Sequence, residues 1–454
     1  MTGIMQMIAS HKVPTISSVT YANMVFNLDA AGYGALPGNV ITTSASFTSN
    51  SQYANIAGSS GTAMGTGDFT WECWVRLTAN VGYQTFIDTR TTPSDTAGFY
   101  FGTDNNTSLT PIVYTTATIL SASANLTLNT WSHVALTRSS GNLTIWIDGL
   151  NRGNLVGDTT NLTEQKANIG GSNGSSIIGN LSYLRIIKGA AQYTANFTPS
   201  TSTLRPIAGT QLLIPFVATP FTDISTNEFT VTNNGTITTS AQAPTLTAVT
   251  TDLTGTYSMT RTGASISWKS TGTGGYFEKN TATGTDHITG GPNYAISQSY
   301  TVFMAYQADS RSGGRLLNTA SEAVSDWVAG TYASGTLYKN VFYPNGTVNL
   351  NSDSYVGNSG WNFLWGLYDT NTGWGNLYIA ASGVNNTVGP TTVYKSALIG
   401  TGSTHGFNQF RLWSRSGGSE VQTGNIGLIR VYDGIMTLAQ IQSTWANLHS
   451  RFGI

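Results

Sequence analysis

The sequence predicts an all-β protein: two tandem copies of one antiparallel sandwich or barrel, closed by a short C-terminal helix. Three observations carry that expectation. Apolar residues recur with period two along many short segments, the pattern of half-buried strands. Clusters rich in Gly, Asn, Asp, Ser and Thr separate them, as in GTDNNTS from Gly102 and SRSGGSE from Ser414, and such residues take turn conformations at low cost. The chain also repeats itself at long range. GNLSYLRIIKG (Gly179 to Gly189) returns as GNIGLIRVYDG (Gly424 to Gly434), FTWECWVRL from Phe69 as YTVFMAYQA from Tyr300, Trp131 as Trp361 and Asn142 as Asn376, at separations of 245, 231, 230 and 234 residues. So long a period marks a duplicated domain, since solenoids and propellers repeat every few tens of residues.

The elements follow in chain order. Met1 to Ser18, with Ile4, Met5, Met7 and Ile8, has no evident partner strand and is expected to be an arm that docks on another protein. Residues 19–243 form the first sandwich. Its clearest strand runs from Phe69, where Phe69, Trp71, Cys73, Val75 and Leu77 alternate with Thr70, Glu72, Trp74 and Arg76. The same beat appears in YQTFIDTR from Tyr83, FYFGTD from Phe99, WSHVALTR from Trp131, LTIWIDG from Leu143 and LSYLRIIKG from Leu181; QLLIPF from Gln211 and FTVTN from Phe229 complete the unit. Ser240 to Leu253, small, polar and interrupted by Pro244, reads as the linker, where few contacts should cross. Residues 244–454 form the second sandwich, with strands in TVFMAYQAD from Thr301, TLYKNVFY from Thr336, NFLWGLYD from Asn362, GNLYIAAS from Gly375 and NIGLIRVYD from Asn425. Over residues 437–452, Thr437 and Gln440 make a capping box, and Leu438, Ile441, Trp445, Leu448 and Phe452 keep helical spacing. Arg451 suits the negative end of that helix's dipole.

Composition narrows the function classes. Charged residues are 9% of the chain against about 25% in typical domains, and the net charge is −1. No basic stripe is available to follow a phosphate backbone, so nucleic acid is not an expected partner. No run of about eighteen apolar residues could span a bilayer, so no membrane partner is expected either, and the opening residues lack the basic start and long apolar middle of a secretory signal. The single cysteine, Cys73, cannot form an internal disulfide and reads as a small buried strand residue.

The succession FTWECWVRL, LNTWSHVALTRSSGNLTIWIDGLNRG, IGG and GNLSYLRIIKGAAQYTANFTPS resembles the concanavalin A-like, laminin G-type jelly roll common in bacteriophage structural proteins. The resemblance covers roughly Gln52 to Pro199; GNIGLIRVYDGIMTLAQIQSTWANLHSRFGI is similar to the closing strand and helix of the same superfamily. It implies two antiparallel sheets of about six or seven strands each, packed face to face, with variable rim loops. Such folds host enzymes, lectins and packing modules alike, so function must be argued from sites.

Laminarinase-type relatives carry carboxylates at alternate positions of one strand, because retaining glycoside hydrolysis needs two carboxyl groups about 5 to 5.5 Å apart. Here Glu72 and Asp369 each lack an acidic partner on the same strand face, and His11, His133, His287, His405 and His449 show neither metal spacing nor a nucleophile setting, so no catalytic activity is expected. His133 reads as a packed strand residue. Asp104, Asn105 and Asn106 could serve Ca²⁺ on paper, but read more simply as an Asx turn; no metal and no cofactor is expected. Carbohydrate stacking is the remaining chemistry. Trp327, Trp374 and Tyr276 stand beside Gly-rich or polar turns and are the candidate glycan platform, whereas Trp146, Trp361 and Trp365 fall on the strand beat and read as core. The expected function is a bacteriophage virion structural protein, displayed on head, neck or tail as a decoration, appendage or fiber-type adhesin. It would assemble in the host cytoplasm, contact other virion proteins and its own copies, and meet host-surface carbohydrate. The alternative is a bacterial carbohydrate-binding lectin or adhesin without catalytic activity.

Overall fold

The computed structural model of the chain describes residues 24–56, 60–106, 108–172, 174–269, 275–281, 286–291, 299–308, 316–319, 328–334, 337–343, 350–351, 360–380, 389–398, 410–413 and 423–452. The expected arm, Met1–Ser18, lies outside the described residues, as does Trp327.

The strands form two pairs of antiparallel sheets. In the first pair, the large sheet runs Leu150–Leu155, Asn142–Ile147, Ser132–Ser139, Phe69–Leu77, Gly179–Lys188, Ser44–Phe47, Thr238–Ser240, with Thr210–Ile214 added beside the far half of Gly179–Lys188. The small sheet runs Thr232–Asn234, Tyr53–Ile56, Ala167–Ile169, Thr85–Asp88, Tyr100–Thr103, Pro111–Tyr114, Thr118–Ser121. In the second pair, the large sheet runs Ile266–Lys269, Tyr276–Lys279, Gly424–Asp433, Tyr300–Ala308, Asn362–Asp369, Trp374–Ala380, Lys395–Leu398, with Met24–Asp29 added beside Gly424–Asp433. Its partner runs Thr260–Thr262, His287–Gly290, Phe410–Leu412, Leu317–Thr319, Val328–Ser334, Leu337–Tyr343, Leu350–Asn351. In each pair, apolar side chains from both sheets meet in a common core: Trp71, Cys73 and Val75 against Phe86, Phe101 and Val113 in the first, Val302, Met304 and Ile429 against Ile288, Leu317 and Leu412 in the second. This is the all-β, double-sandwich architecture of the sequence reading.

The repeated segments occupy matching places. Phe69–Leu77 pairs with Gly179–Lys188 from Phe69↔Lys188 to Leu77↔Gly179, and Tyr300–Ala308 pairs with Gly424–Asp433 from Tyr300↔Asp433 to Ala308↔Gly424, each ladder broken midway by a β-bulge. Gly179 and Gly424 hold φ of 149° and 143°, and a Cβ on either would collide with the carbonyl of Arg76 or Gln307. That explains why both copies of the motif begin with Gly.

The units are interlocked. Met24–Asp29 fills, on the second closing strand, the slot that Thr210–Ile214 fills on the first: Asn27 stands opposite Arg430 as Leu213 stands opposite Arg185. The expected first unit, 19–243, therefore contains a strand hydrogen-bonded into the second unit's sheet. The linker expectation fails for a related reason. Gly38 N–H donates to Ala248 O (3.0 Å), Ile41 N–H to Leu246 O (2.9 Å) and Leu253 N–H to Asn27 O (2.8 Å), and Leu246, Ala248 and Leu253 are buried. The segment is small because it is packed, and its backbone pins the N-terminal strand.

The helix spans Leu438–Leu448, capped at Thr437 with the expected Gln440 box, and continues as a 3₁₀ turn, His449–Phe452. Ile441, Trp445, Leu448 and Phe452 pack with Met436 on Phe303, Ala305, Phe363, Trp365 and Leu428, the outer face of the second large sheet. Arg451 departs from its expected role. Its side chain is buried against Asp29, with Nη1 donating to Oδ2 at 2.8 Å, while Arg430 approaches Asp29 at 3.9 Å and pairs with Glu228 of the first unit. Asp29 also caps the four-residue helix Ala30–Tyr33 through Ala31 N–H (3.0 Å).

This cluster generates a prediction. Removing one partner of a buried ion pair costs about 3–5 kcal/mol because a charge is stranded. Asp29→Asn is expected to lower stability on that scale in urea unfolding; a loss under about 1 kcal/mol, the range of an exposed pair, would show that the cluster does not bolt the units together.

Candidate functional site

Two short strands of the first small sheet alternate cleanly. Ala54, Ile56, Ala167 and Ile169 are buried in the core, so the period of two turns Tyr53, Asn55 and Asn168 outward. Asn55 sits between Asn168 on one neighbouring strand and Thr232 on the other, and Tyr53 faces Asn234. Asn55 Nδ2 donates to Asn168 Oδ1 at 2.7 Å, and Asn168 Nδ2 donates to Ser172 Oγ at 3.4 Å, which orients these two amides. The rim is tied just as firmly. The buried Gln52 accepts from Thr48 N–H (2.6 Å) and Ser49 N–H (3.1 Å) and donates to Gly235 O and Thr236 O (3.0 Å each), while Ser176 Oγ donates to Asn50 O (2.9 Å).

These elements enclose an open trough of about 610 Å³. Four asparagines, Asn50, Asn55, Asn168 and Asn234, line it together with serine and threonine hydroxyls. Tyr53 supplies one aromatic surface and Lys166 one charge. Beside the trough, Asp88 stands opposite Asn168, but its carboxylate is held by Arg90, with Nε to Oδ1 and Nη2 to Oδ2 both at 3.0 Å. The guanidinium lies 5.3 Å from the Tyr100 ring and 5.1 Å from the Tyr114 ring, so this acid is neutralised and enclosed. The trough is polar and shallow, lined by groups that both donate and accept.

The residues singled out in the sequence are not brought together. Trp374 is 45% exposed at the rim of the second large sheet, opposite Leu398 at 60%. Tyr276 is half-buried against Trp361, ring centroids 5.9 Å apart, and three strands separate its strand from that of Trp374. Trp146, Trp361 and Trp365 are buried. The trough lay unremarked in the sequence although Tyr53-Ala54-Asn55-Ile56 shows the alternation, because strands of three or four residues give too short a pattern to stand out.

Glu72 has no acidic partner, but it has three others that the sequence does not announce: Arg185 Nε donates to Oε1 at 2.7 Å, Tyr193 Oη to Oε2 at 2.7 Å, and His133 Nε2 lies 3.1 Å from Oε2. Burial pushes its pKa up, but Arg185, His133 and Tyr193 outweigh that and hold it down at about 2. His133 is boxed by Trp74, Tyr193 and Phe197 at 5.4, 6.1 and 5.7 Å. A strap, residues 190–199, lies over the group: Thr70 Oγ1 donates to Ala190 O (3.0 Å), Gln192 N–H to Thr70 Oγ1 (2.7 Å) and Phe197 N–H to Gly149 O (2.9 Å), and Tyr193 stacks on Phe197 at 3.6 Å. Asp369 accepts from Asn371 N–H (2.9 Å) and Thr372 Oγ1 (2.8 Å) and shapes a hairpin turn. Asp104 does the same for Asn106, the Asx turn expected. Among the described residues no group of three or more His, Cys, Asp or Glu is placed to hold a metal ion.

Residues 48–192 match the family model of the concanavalin A-like lectin/glucanases superfamily. Similar solved structures include a putative carbohydrate binding protein from Bacteroides ovatus (15% identity, TM-score 0.35), for which the match covers 44% of this chain and 60% of that one. They also include domain 4 of an extracellular arabinanase from Geobacillus stearothermophilus in complex with arabinotriose (16%, TM-score 0.33, 43% and 91%). Domains LG4-5 of the mouse laminin alpha1 chain match across both units (11%, TM-score 0.27, 87% and 91%). No curated protein matches.

The Glu72 cluster makes the fold acid-sensitive. A folded pKa of about 2 lies below the ordinary glutamate value, so the unfolded chain binds more protons between the two, and the stabilisation present above about pH 4.3 is lost as pH falls toward 2. The stability difference between wild type and Glu72→Gln in urea should shrink by on the order of 3 kcal/mol across that window. Parallel curves for the two proteins would contradict this account.

Proposed function

We propose that the chain is a carbohydrate-binding protein without catalytic activity, and that the Asn-lined trough of the first sandwich is its contact surface. One observation carries the reading: a fixed row of amides and hydroxyls beside one aromatic ring, on a sheet whose inner face is locked in the core. Sugars present dense hydroxyls, each donor and acceptor, with apolar C–H faces between them. Amides answer the first property and Tyr53 the second. The superfamily match supports the reading, since residues 48–192 include every lining residue except Thr232 and Asn234. Hydrolysis is disfavoured because Glu72 is sealed in an ion cluster, Asp88 is neutralised by Arg90, and neither has a second carboxyl group in the role that glycoside hydrolysis requires.

The finer part of the proposal is display on a bacteriophage particle, as decoration, appendage or fiber-type adhesin, with other virion proteins and further copies of the chain as neighbours. Its support is the resemblance carried by FTWECWVRL and GNLSYLRIIKGAAQYTANFTPS. A lectin or adhesin of bacterial origin is the alternative. Immunogold labelling separates them: gold on purified phage particles supports display, and gold confined to the bacterial envelope supports the alternative.

For the trough, binding to a printed glycan array is expected to fall about tenfold or more in Asn168→Ala and in Tyr53→Ala, equivalent to about 1.4 kcal/mol, and to persist in Trp374→Ala. The reverse pattern would move the site to the Trp374 rim and overturn the assignment.

A further inference from the structure

The trough holds a single charge. In a chain with so few ionic residues, most arginines of the first unit are engaged: Arg90 on Asp88, Arg138 on Asp158 (3.0 Å), Arg185 on Glu72, Arg76 on Asn129 and Asn180, and Arg205 on Thr254 O (3.0 Å). Lys166 is different. It precedes Ala167–Ile169, the strand that presents Asn168, it is half-buried at the trough wall, and among the described residues its ammonium makes no ion pair. Two carboxylates lie nearby in space or sequence, and neither lines the trough. Asp95 is half-buried, is engaged by Thr91 N–H and Oγ1 (2.8 and 2.7 Å) and Ala97 N–H (2.7 Å), and feels the Lys166 charge only as the least of the influences that lower its pKa; Glu164 lies two residues before Lys166 in the chain.

Resting on the trough reading above, we propose that Lys166 makes the site selective for anionic glycans, sugars bearing a carboxylate or a sulfate ester. The geometry is that of a two-part reader. The fixed asparagines engage ring hydroxyls, which neutral and acidic sugars share, and the ammonium on the wall adds attraction only for a sugar carrying negative charge. The lining holds no acid that would repel such a ligand, so discrimination falls to one side chain. Lysine acts here as a point charge on a flexible stem, which tolerates either anionic group better than a planar guanidinium fork would.

The test uses the full chain on an array printed with neutral, uronic-acid, sialylated and sulfated oligosaccharides, followed by interferometry on the strongest hits with wild type, Lys166→Gln, Lys166→Arg and Asn168→Ala, their melting curves compared first. The inference expects acidic hits that weaken about tenfold in Lys166→Gln, survive in Lys166→Arg, and weaken as NaCl rises from about 50 to 300 mM. Whether carboxylated or sulfated probes bind more tightly identifies which anion the ammonium meets. Neutral hits lost in Asn168→Ala but unmoved by Lys166→Gln would overturn the anionic preference and leave the trough reading standing. Hits indifferent to both substitutions, or an array with no hit, would overturn the trough reading and this inference with it.

Discussion

A strand buried on both faces leaves no side for water, and the rest of this structure answers that constraint. The two closing strands, Gly179–Lys188 and Gly424–Asp433, are buried at every position but the last. One face of each goes into its sandwich. The other demands a cover, and the chain supplies a different one in each copy. In the first, residues 190–199 strap across the sheet; in the second, the helix Leu438–Leu448 lies there. The same anchor starts both. Thr70 Oγ1 donates to Ala190 O and Thr301 Oγ1 donates to Gly434 O at 2.9 Å, and each hydroxyl then accepts a backbone N–H from the covering segment. The threonine, one residue into each repeat, fixes where the cover begins.

Beneath the cover the two copies differ at several positions, and one of them faces the arginine of the closing strand. Glu72 stands opposite Arg185, and Phe303 stands opposite Arg430. With glutamate there, the arginine finds its counter-charge on the same sheet, and the strap needs only aromatic rings and a tyrosine hydroxyl to close the group. With phenylalanine there, the face becomes apolar and suits a helix, and Arg430 must find carboxylates elsewhere. It finds Glu228 in the other unit and Asp29 on the N-terminal strand. Buried ion pairs often stabilise no more than apolar side chains of similar volume, so the apolar solution of the second copy is no weaker for lacking a local pair. Its consequence is the interlock: the displaced arginine draws both units and the chain's first described strand into one cluster.

The fold was legible because long-range repetition and period two are both properties of the sequence. The repeats marked the duplication, and the Thr437–Gln440 box marked the helix start to the residue. Three things were not legible. The N-terminal strand carries no sign of which sheet it joins, since MVFNLD would suit either slot. The 240–253 segment looks like a linker in composition, and its packing comes from partners more than two hundred residues away, Asn27 among them. Glu72 looked solitary because its partners lie 61, 113 and 121 residues distant, and only strand pairing and the strap bring them close. The aromatic residues drew attention to the second unit, whereas the trough is built of asparagines, which in a Ser/Thr/Asn-rich chain are indistinguishable from turn formers.

The same constraint explains where a ligand surface can sit in the first unit. The outer face of its large sheet is taken, partly by the strap and partly by the junction with the second unit, where Tyr183, Leu213 and Val217 join the second core. The small sheet faces outward with polar side chains along Tyr53–Ile56 and Ala167–Ile169, and these short strands leave their rims to loops that Gln52 and Ser176 tie down. A surface so held needs little reordering to engage a ligand, and the entropy otherwise lost in fixing side chains is already absorbed by the fold. The asparagine row gains from this directly. Asn55 and Asn168, hydrogen-bonded to one another, present their remaining donors and acceptors in one orientation, so a few weak contacts can add up to recognition of a flexible, hydroxyl-rich partner.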